Sequence, residues 1–258
     1  MLDSLTPTKP KALPFYIVID GSQSMQGVKI EAVNKALKNL YLKMTNDPHV
    51  SSMAHVSIVE FSEVPVQTIP LCDLSSVVGI PTINADGPTN YGVVFEQIKN
   101  WIEIDMKALR SKGYAVYRST VFFLTDGEPN DENWESSVDE LRDKNWKFRP
   151  NIFCFGIYDL ASSDIQVCTE ILQRIMTMES WALTFDSEQL NQNTDVSSKK
   201  DPLMAVAHAI DKYFDKLTNT IITTASNTSE GSFKFEQPDC SDIEGAVKIP
   251  VVEIDEIL

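Results

Sequence analysis

Residues Phe15 to Gly27 read FYIVIDGSQSMQG. The apolar run Phe15 to Ile19 is short and rich in β-branched and aromatic side chains, the composition of a strand buried on both faces. It ends in an aspartate, and hydroxyls follow at alternate positions: Asp20, Ser22, Ser24. A helical pattern starts directly afterwards, with Ile30, Val33, Leu37, Leu40 and Met44 spaced by three and four across residues 28–44. Three oxygen-bearing side chains therefore sit on the turn leaving the carboxyl end of a strand, where open α/β sheets bind ligands. One carboxylate and two neutral hydroxyls suit a hard divalent cation, Mg²⁺ first, with Mn²⁺ and Ca²⁺ as the alternatives. Three ligands do not fill an octahedron, so the rest must come from elsewhere in the chain.

Outward from this stretch, strands alternate with helices. Thr45-Asn46-Asp47-Pro48 stops the first helix, because Pro48 biases Asp47 away from helical backbone. Val56 to Phe61 reads as a strand, and Val64 to Ile69 as its hairpin partner at a sheet edge, since Pro65 has no N–H to give. Residues 72–85 read as loop. The sharp turn Gly87-Pro88-Thr89-Asn90-Tyr91-Gly92 leads into a helix over residues 91–109. Thr120 to Thr125 is continuously apolar between its threonines, as in a parallel strand covered on both faces, and ends in Asp126-Gly127-Glu128-Pro129. A helix over 132–145, a strand over 151–157, a helix over 165–176, a strand over 181–185 and a helix over 203–217 complete the pattern. The expected fold is a doubly wound, Rossmann-like α/β sheet, mostly parallel with one antiparallel edge strand. Residues 1–13 read as a lead-in, 14–222 as the domain and 223–258 as an acidic tail. Within that tail, 247–258 alternates apolar positions and reads as a strand or a docking segment. The polar stretch 185–201 is long for a loop in a compact domain, which marks it as mobile or functional.

Composition narrows the function. The chain has 258 residues, 43% hydrophobic and 23% charged, with net charge −15. That balance argues against a basic nucleic-acid-binding face and fits a protein partner or simple solubility. No leader-like h-region and no run of about 20 apolar residues is present, so neither secretion nor membrane spanning is expected. Cys72, Cys154, Cys168 and Cys240 form no C-x-x-C pair, and the expected home is a reducing cytoplasm.

Three strand-exit turns thus carry oxygen ligands: Asp20, Ser22 and Ser24 on the first, Thr89 on the second, Asp126 on the third. Side by side at the carboxyl edge they would converge on one cation and leave coordination positions open for a carboxylate from another molecule.

Here the chain resembles a known family. D-G-S-Q-S at 20–24, G-P-T-N-Y-G at 87–92 and F-F-L-T-D-G-E-P at 122–129 are similar, in order, to the three parts of the metal-ion-dependent adhesion site (MIDAS) of von Willebrand factor A (VWA) domains. The resemblance spans roughly 15–217. It implies direct metal ligation by Ser22, Ser24 and Thr89, and supporting or water-mediated roles for Asp20 and Asp126. The runs over 20–34 and 117–129 look most like bacterial TerY-type proteins of the tellurium-resistance group. That branch implies a cytoplasmic protein without enzymatic activity, working with kinase or phosphatase partners in stress, metal-resistance or defence complexes. The chain departs from that branch in its 185–201 stretch, its acidic tail and the absence of a cysteine-rich extension.

Other readings fit less well. Asp20, Ser22, Ser24 and Glu31 match EF-hand positions, but Met25 stands where a glycine is needed and a strand precedes the loop. A phosphate-binding G-x-x-x-x-G-K-[ST] loop and a G-x-S-x-G nucleophile elbow are absent. His49, His55 and His208 lie in no catalytic pattern. Glu128 near Asp126 is the one general-base candidate for a metal-dependent phosphohydrolase. Asp20, Ser22 and Thr89 are also residue types that cap helices. A scaffold that binds through the tail or 185–201, without metal, is the main functional alternative.

Overall fold

The computed structural model describes residues 9–161, 163–186, 202–229, 233, 235 and 237–251. The strands are β1 (Lys11–Asp20), β2 (Ala54–Phe61), β3 (Val66–Cys72), β4 (Ala115–Val116), β5 (Thr120–Thr125), β6 (Asn151–Asp159), β7 (Ser180–Phe185) and β8 (Ala246–Ile249). The helices are α1 (Val28–Thr45), α2 (Pro48–Met53), α3 (Tyr91–Ser111), α4 (Trp134–Arg142), α5 (Ile165–Ile175) and α6 (Pro202–Ser229).

The strands form one sheet in the order β3-β2-β1-β5-β6-β7-β8, with β4 also paired to β1. β1 runs parallel to β2 and β5, β5 to β6, and β6 to β7. This is the expected doubly wound sheet with β3 antiparallel at one edge. A second antiparallel strand, β8, closes the other edge against β7.

The period-2 pleat of the strands explains the layers. On β1, Leu13, Phe15, Ile17 and Ile19 face the core under α1, α2 and α6, while Ala12, Tyr16 and Val18 face the core under α3, α4 and α5. β5 divides in the same way, with Phe122 and Leu124 on the first side and Val121 and Phe123 on the second. Burial on both faces is what makes these segments continuous apolar runs rather than alternating ones.

Several boundaries differ from the sequence reading for physical reasons. β1 begins at Lys11, inside the expected lead-in, because β2 and β4 both offer it partners ahead of Pro14. Pro48 ends α1 and then opens α2, where its missing N–H costs nothing. α4 is shorter than expected because Asn133 before it takes a left-handed conformation (φ 62°), which asparagine tolerates.

The largest difference lies at the carboxyl end. α6 runs across the expected boundary at 222/223 to Ser229. Its apolar face continues through Leu217, Ile221 and Ala225. The buried Thr218 and Thr228 hydroxyls donate back to Phe214 O (2.6 Å) and Thr224 O (2.7 Å), which accommodates these two poor helix formers in the buried face. Beyond it, Cys240 and Ile243 are buried in the core and β8 pairs with β7. The strand reading of 247–258 therefore holds for Val247 to Ile249, and residues 252–258 lie outside the described ones. So does most of 185–201.

Candidate metal centre

The chain visits β1, β2 and β3 on one side of β1 and then crosses to β5 on the other. The order reverses between β1 and β5, and the crevice outside their carboxyl ends is the switch point at which such sheets bind ligands. All three oxygen-bearing turns meet there. Ser22, Ser24, Thr89, Asp126, Glu128 and Cys168 are among the residues lining an open cavity of about 630 Å³.

A chain of short contacts links the first and third turns. Ser22 Oγ lies 2.9 Å from Ser24 Oγ, and Ser24 Oγ donates to Asp126 Oδ1 at 2.6 Å. Asp20 is fully buried behind them. Its Oδ1 accepts from Ser22 N (2.9 Å) and its Oδ2 from Thr125 Oγ1 (2.6 Å). Tyr91, the first residue of α3, places its hydroxyl 2.9 Å from Thr125 Oγ1 and donates to Gly127 O at 2.9 Å. Burial first, and then the neighbouring Asp126 charge, push the Asp20 carboxyl up to about 6 against the pull of the Thr125 and Ser22 hydrogen bonds.

The second turn is bolted to the third. Asn130 accepts from Thr89 N through Oδ1 (2.7 Å) and donates its own N–H to Thr89 O (2.8 Å). Asp131 accepts from Tyr91 N (2.8 Å) and Gly92 N (2.6 Å), capping α3 with a residue from another loop. A Cβ at Gly92 would lie 2.8 Å from Asp131 Oδ2, so this cap needs glycine there. At Gly127 a Cβ would touch Ser24 Oγ and Thr89 Oγ1 at 3.7 Å each, which brings those two hydroxyls around the same point of the cavity wall. The capping alternative fails for Ser22, whose side chain makes no cap bond, and α3 is preceded by Asn90, not Thr89.

Of the five expected residues, Ser22, Ser24, Thr89 and Asp126 line one crevice, and Asp20 is buried behind them. Thr125, Tyr91, Asn130, Asp131 and Lys29 escaped the sequence reading. Lys29, in the first turn of α1, places Nζ 2.5 Å from Asp126 Oδ2, 3.4 Å from Ser24 O and 5.9 Å from the Phe185 ring centroid. The Asp126 side chain is wholly buried, so this ammonium supplies the positive charge that its carboxylate demands. A lysine one turn beyond the last serine was the available signal.

A family model for the von Willebrand factor type A domain matches residues 15–199. The chain belongs to the VWA family. The match is to the family and not to any branch of it. Among curated proteins, none matches this VWA domain in sequence. Its fold is shared with the von Willebrand factor domain of the type V pilus tip protein Mfa5 from Porphyromonas gingivalis, at 8% identity and TM-score 0.52, covering 90% of this chain and 99% of that one. It is shared with the pilus adhesin SpaC from Lactobacillus rhamnosus GG, at 15% identity and TM-score 0.55, covering 82% and 30%. It is shared also with proximal thread matrix protein 1 from the mussel byssus, solved with a zinc-occupied MIDAS motif, at 15% identity and TM-score 0.50, covering 83% and 48%. The chain thus spans less than half the length of the latter two.

The donor set of this VWA domain fits a hard cation. Among the described residues no group of three histidine, cysteine, aspartate or glutamate side chains could hold a metal, and the side-chain oxygens lining this cavity include the hydroxyls of Ser22, Ser24 and Thr89. The soft donor nearby is unsuited to binding: burial first, and then Glu128 and Asp164, push the Cys168 thiol up to about 11, so it is not a thiolate at neutral pH. No histidine lines the cavity. No helix among the described residues is long and apolar enough to cross a membrane.

Proposed function

We propose that this VWA domain is a non-enzymatic adaptor that engages a partner protein through a divalent cation. Ser22, Ser24 and Thr89 hold the metal directly, and Asp20 and Asp126 support it. When bound, the cation supplies an open position for an Asp or Glu side chain of the partner. Mg²⁺ is the first choice on ligand chemistry, ahead of Mn²⁺ and Ca²⁺. The observation that carries the reading is the Ser22–Ser24–Asp126 run of oxygens on the wall of an open cavity, backed by the buried Asp20 carboxylate, which makes no direct ion pair among the described residues. The zinc-occupied MIDAS of the mussel protein supports a divalent cation in this fold. The TerY-like runs over 20–34 and 117–129 support a cytoplasmic setting in a bacterial stress, metal-resistance or defence complex with a kinase or phosphatase partner.

The test is capture of partners from the native cytoplasm with Mg²⁺ or with EDTA, using wild type and Asp20→Ala/Ser22→Ala. A partner lost both in EDTA and with the variant supports metal-bridged binding. A partner kept in both overturns it.

The Lys29–Asp126 ion pair favours a second reading, in which binding is metal-independent because the lysine already balances the site. Deleting 228–258 does not test that reading cleanly, since the deletion removes β8 and the buried Cys240 and Ile243. Lys29→Met does. If the lysine competes with the cation, its removal should tighten Mg²⁺ binding by about tenfold and weaken the metal-free protein by about 1–3 kcal/mol, because it leaves Asp126 buried and unpaired. Calorimetric titration with Mg²⁺ and urea unfolding in EDTA read the two effects. Unchanged Mg²⁺ affinity would show that Lys29 is no competitor.

A further inference from the structure

A second cavity opens at the opposite, amino-terminal edge of the sheet. It measures about 120 Å³ and lies between the end of α3 and the segments that lead into β5 and β6. β5 separates it from the metal centre by six residues, roughly 20 Å. Its wall contains Arg110, Arg118, Lys147 and Arg149. Four cations gathered in a chain of net charge −15 are unexpected, and among the described residues no carboxylate lies within ion-pair distance of any of them.

The cations are held rather than splayed. Arg110 and Lys147 lie over the ring of Phe148, at 5.0 Å and 4.7 Å from its centroid. Arg118 donates to Arg149 O at 3.1 Å. Two donors are left stranded. Ser119 is 1% exposed, and among the described residues both its Oγ and Arg149 Nε are buried without a hydrogen-bond partner. Stranding a hydroxyl and a guanidinium N–H beside unpaired cations is costly unless something accepts from them. The positive field reaches further: Arg142 is held below the ordinary arginine range by burial first, then by Arg174, and in smaller part by Arg149. The half-buried Glu103 carboxyl is held down first by its hydrogen bond and charge pairing with Lys107 at 2.6 Å, and only in smaller part by Lys147.

We propose that this cavity is an oxyanion site that takes a phosphoryl group, free or carried on a small organic ester. Its space equals that of about four water molecules, enough for one tetrahedral anion. The guanidinium groups and Lys147 supply charge-assisted donors, and Ser119 Oγ and Arg149 Nε find the acceptors they lack. The site is independent of the metal centre.

The experiment is calorimetric titration of the full chain with inorganic phosphate and, separately, glycerol 3-phosphate, against sodium chloride at matched ionic strength. Wild type should bind saturably. Arg110→Gln/Lys147→Gln, at two exposed side chains, should bind at least about tenfold more weakly. Ser119→Ala should also bind more weakly, yet be as stable as wild type or more so without phosphate, because it removes a stranded hydroxyl; a purely structural role for Ser119 would make it less stable. Tighter binding of the ester names an organic phosphate as the source, and tighter binding of inorganic phosphate names the free ion. A wild-type response no different from chloride overturns the proposal, as does equal affinity in the variants, which would mean an adventitious ion only.

Discussion

Asp20→Asn should make the metal-free domain more stable at pH 7, by about 1–3 kcal/mol, while weakening Mg²⁺ binding by about a hundredfold. The first effect follows from the cost of burying a charge. Asp20 is fully buried, and burial and the Asp126 charge raise its carboxyl from 3.8 to about 6. A raised acid pKa means that the folded state binds more protons than the unfolded one between about pH 4 and 6. Stability is then full below the unfolded value, falls as pH rises through that window, and stays low above it. Asparagine removes the charge and keeps the hydrogen bonds. Its carbonyl accepts from Ser22 N as Oδ1 does now, and its amide donates to Thr125 Oγ1. Thr125 can turn its own proton to the Tyr91 hydroxyl, because that hydroxyl donates onward to Gly127 O. Thermal unfolding from pH 4 to 8 in EDTA should show the slope between 4 and 6 in wild type and its loss in the variant. A variant no more stable than wild type, with the slope intact, would mean that Asp20 is not strained in the metal-free fold. A residue that destabilises the fold and is offset by its ligand is what a binding site built for a cation should contain.

What the sequence revealed and what it hid divide along one physical line. The positions of Asp20, Ser22, Ser24, Thr89 and Asp126 at one end of the sheet were legible because each stands near the end of a strand or the start of a helix, and the period of the apolar pattern locates those ends. Their supports were in the same motifs but had no local signature. Thr125 closes an apolar strand and looks like one more β-branched residue, while its task, donating to Asp20 across the β1–β5 pairing, exists only once the sheet forms. Asp131 reads as loop acid and is the cap of a helix forty residues earlier. The end of α6 was hidden for the opposite reason. Thr223 to Ser229 has the composition of a turn, and only the back-bonded hydroxyls and the apolar row ending in Ala225 make it helix. β4, of two residues, is too short to show any period. β8 is an edge strand with Val247 and Lys248 exposed, and needs β7 to define it.

Thr125→Val is the sharper test of how the centre is supported, because valine has the same shape and lacks only the hydroxyl. The Thr125 hydroxyl is buried and donates to Asp20 Oδ2 at 2.6 Å, meets the Tyr91 hydroxyl at 2.9 Å and receives Gly127 N at 3.3 Å. Valine leaves Asp20 Oδ2 buried without a donor and removes one of the bonds that hold its carboxyl down, so its pKa should rise beyond about 6. A loss of about 2–4 kcal/mol is expected, the range for stranding a buried charged acceptor. Mg²⁺ binding should weaken by about tenfold, since the carboxylate loses both orientation and ionisation. Thr125→Ser, which restores the hydroxyl, should recover most of the affinity and lose only the methyl packing. Urea unfolding in EDTA and Mg²⁺ titration measure the two effects. The cycle with Asp20→Asn isolates the cause. If Thr125 acts through the Asp20 charge, then Thr125→Val should cost only about 1 kcal/mol when residue 20 is already Asn, because a neutral amide loses an ordinary hydrogen bond. Equal costs in both backgrounds would move the role of Thr125 from the carboxylate to the Tyr91 hydroxyl and the packing of α3 against β5.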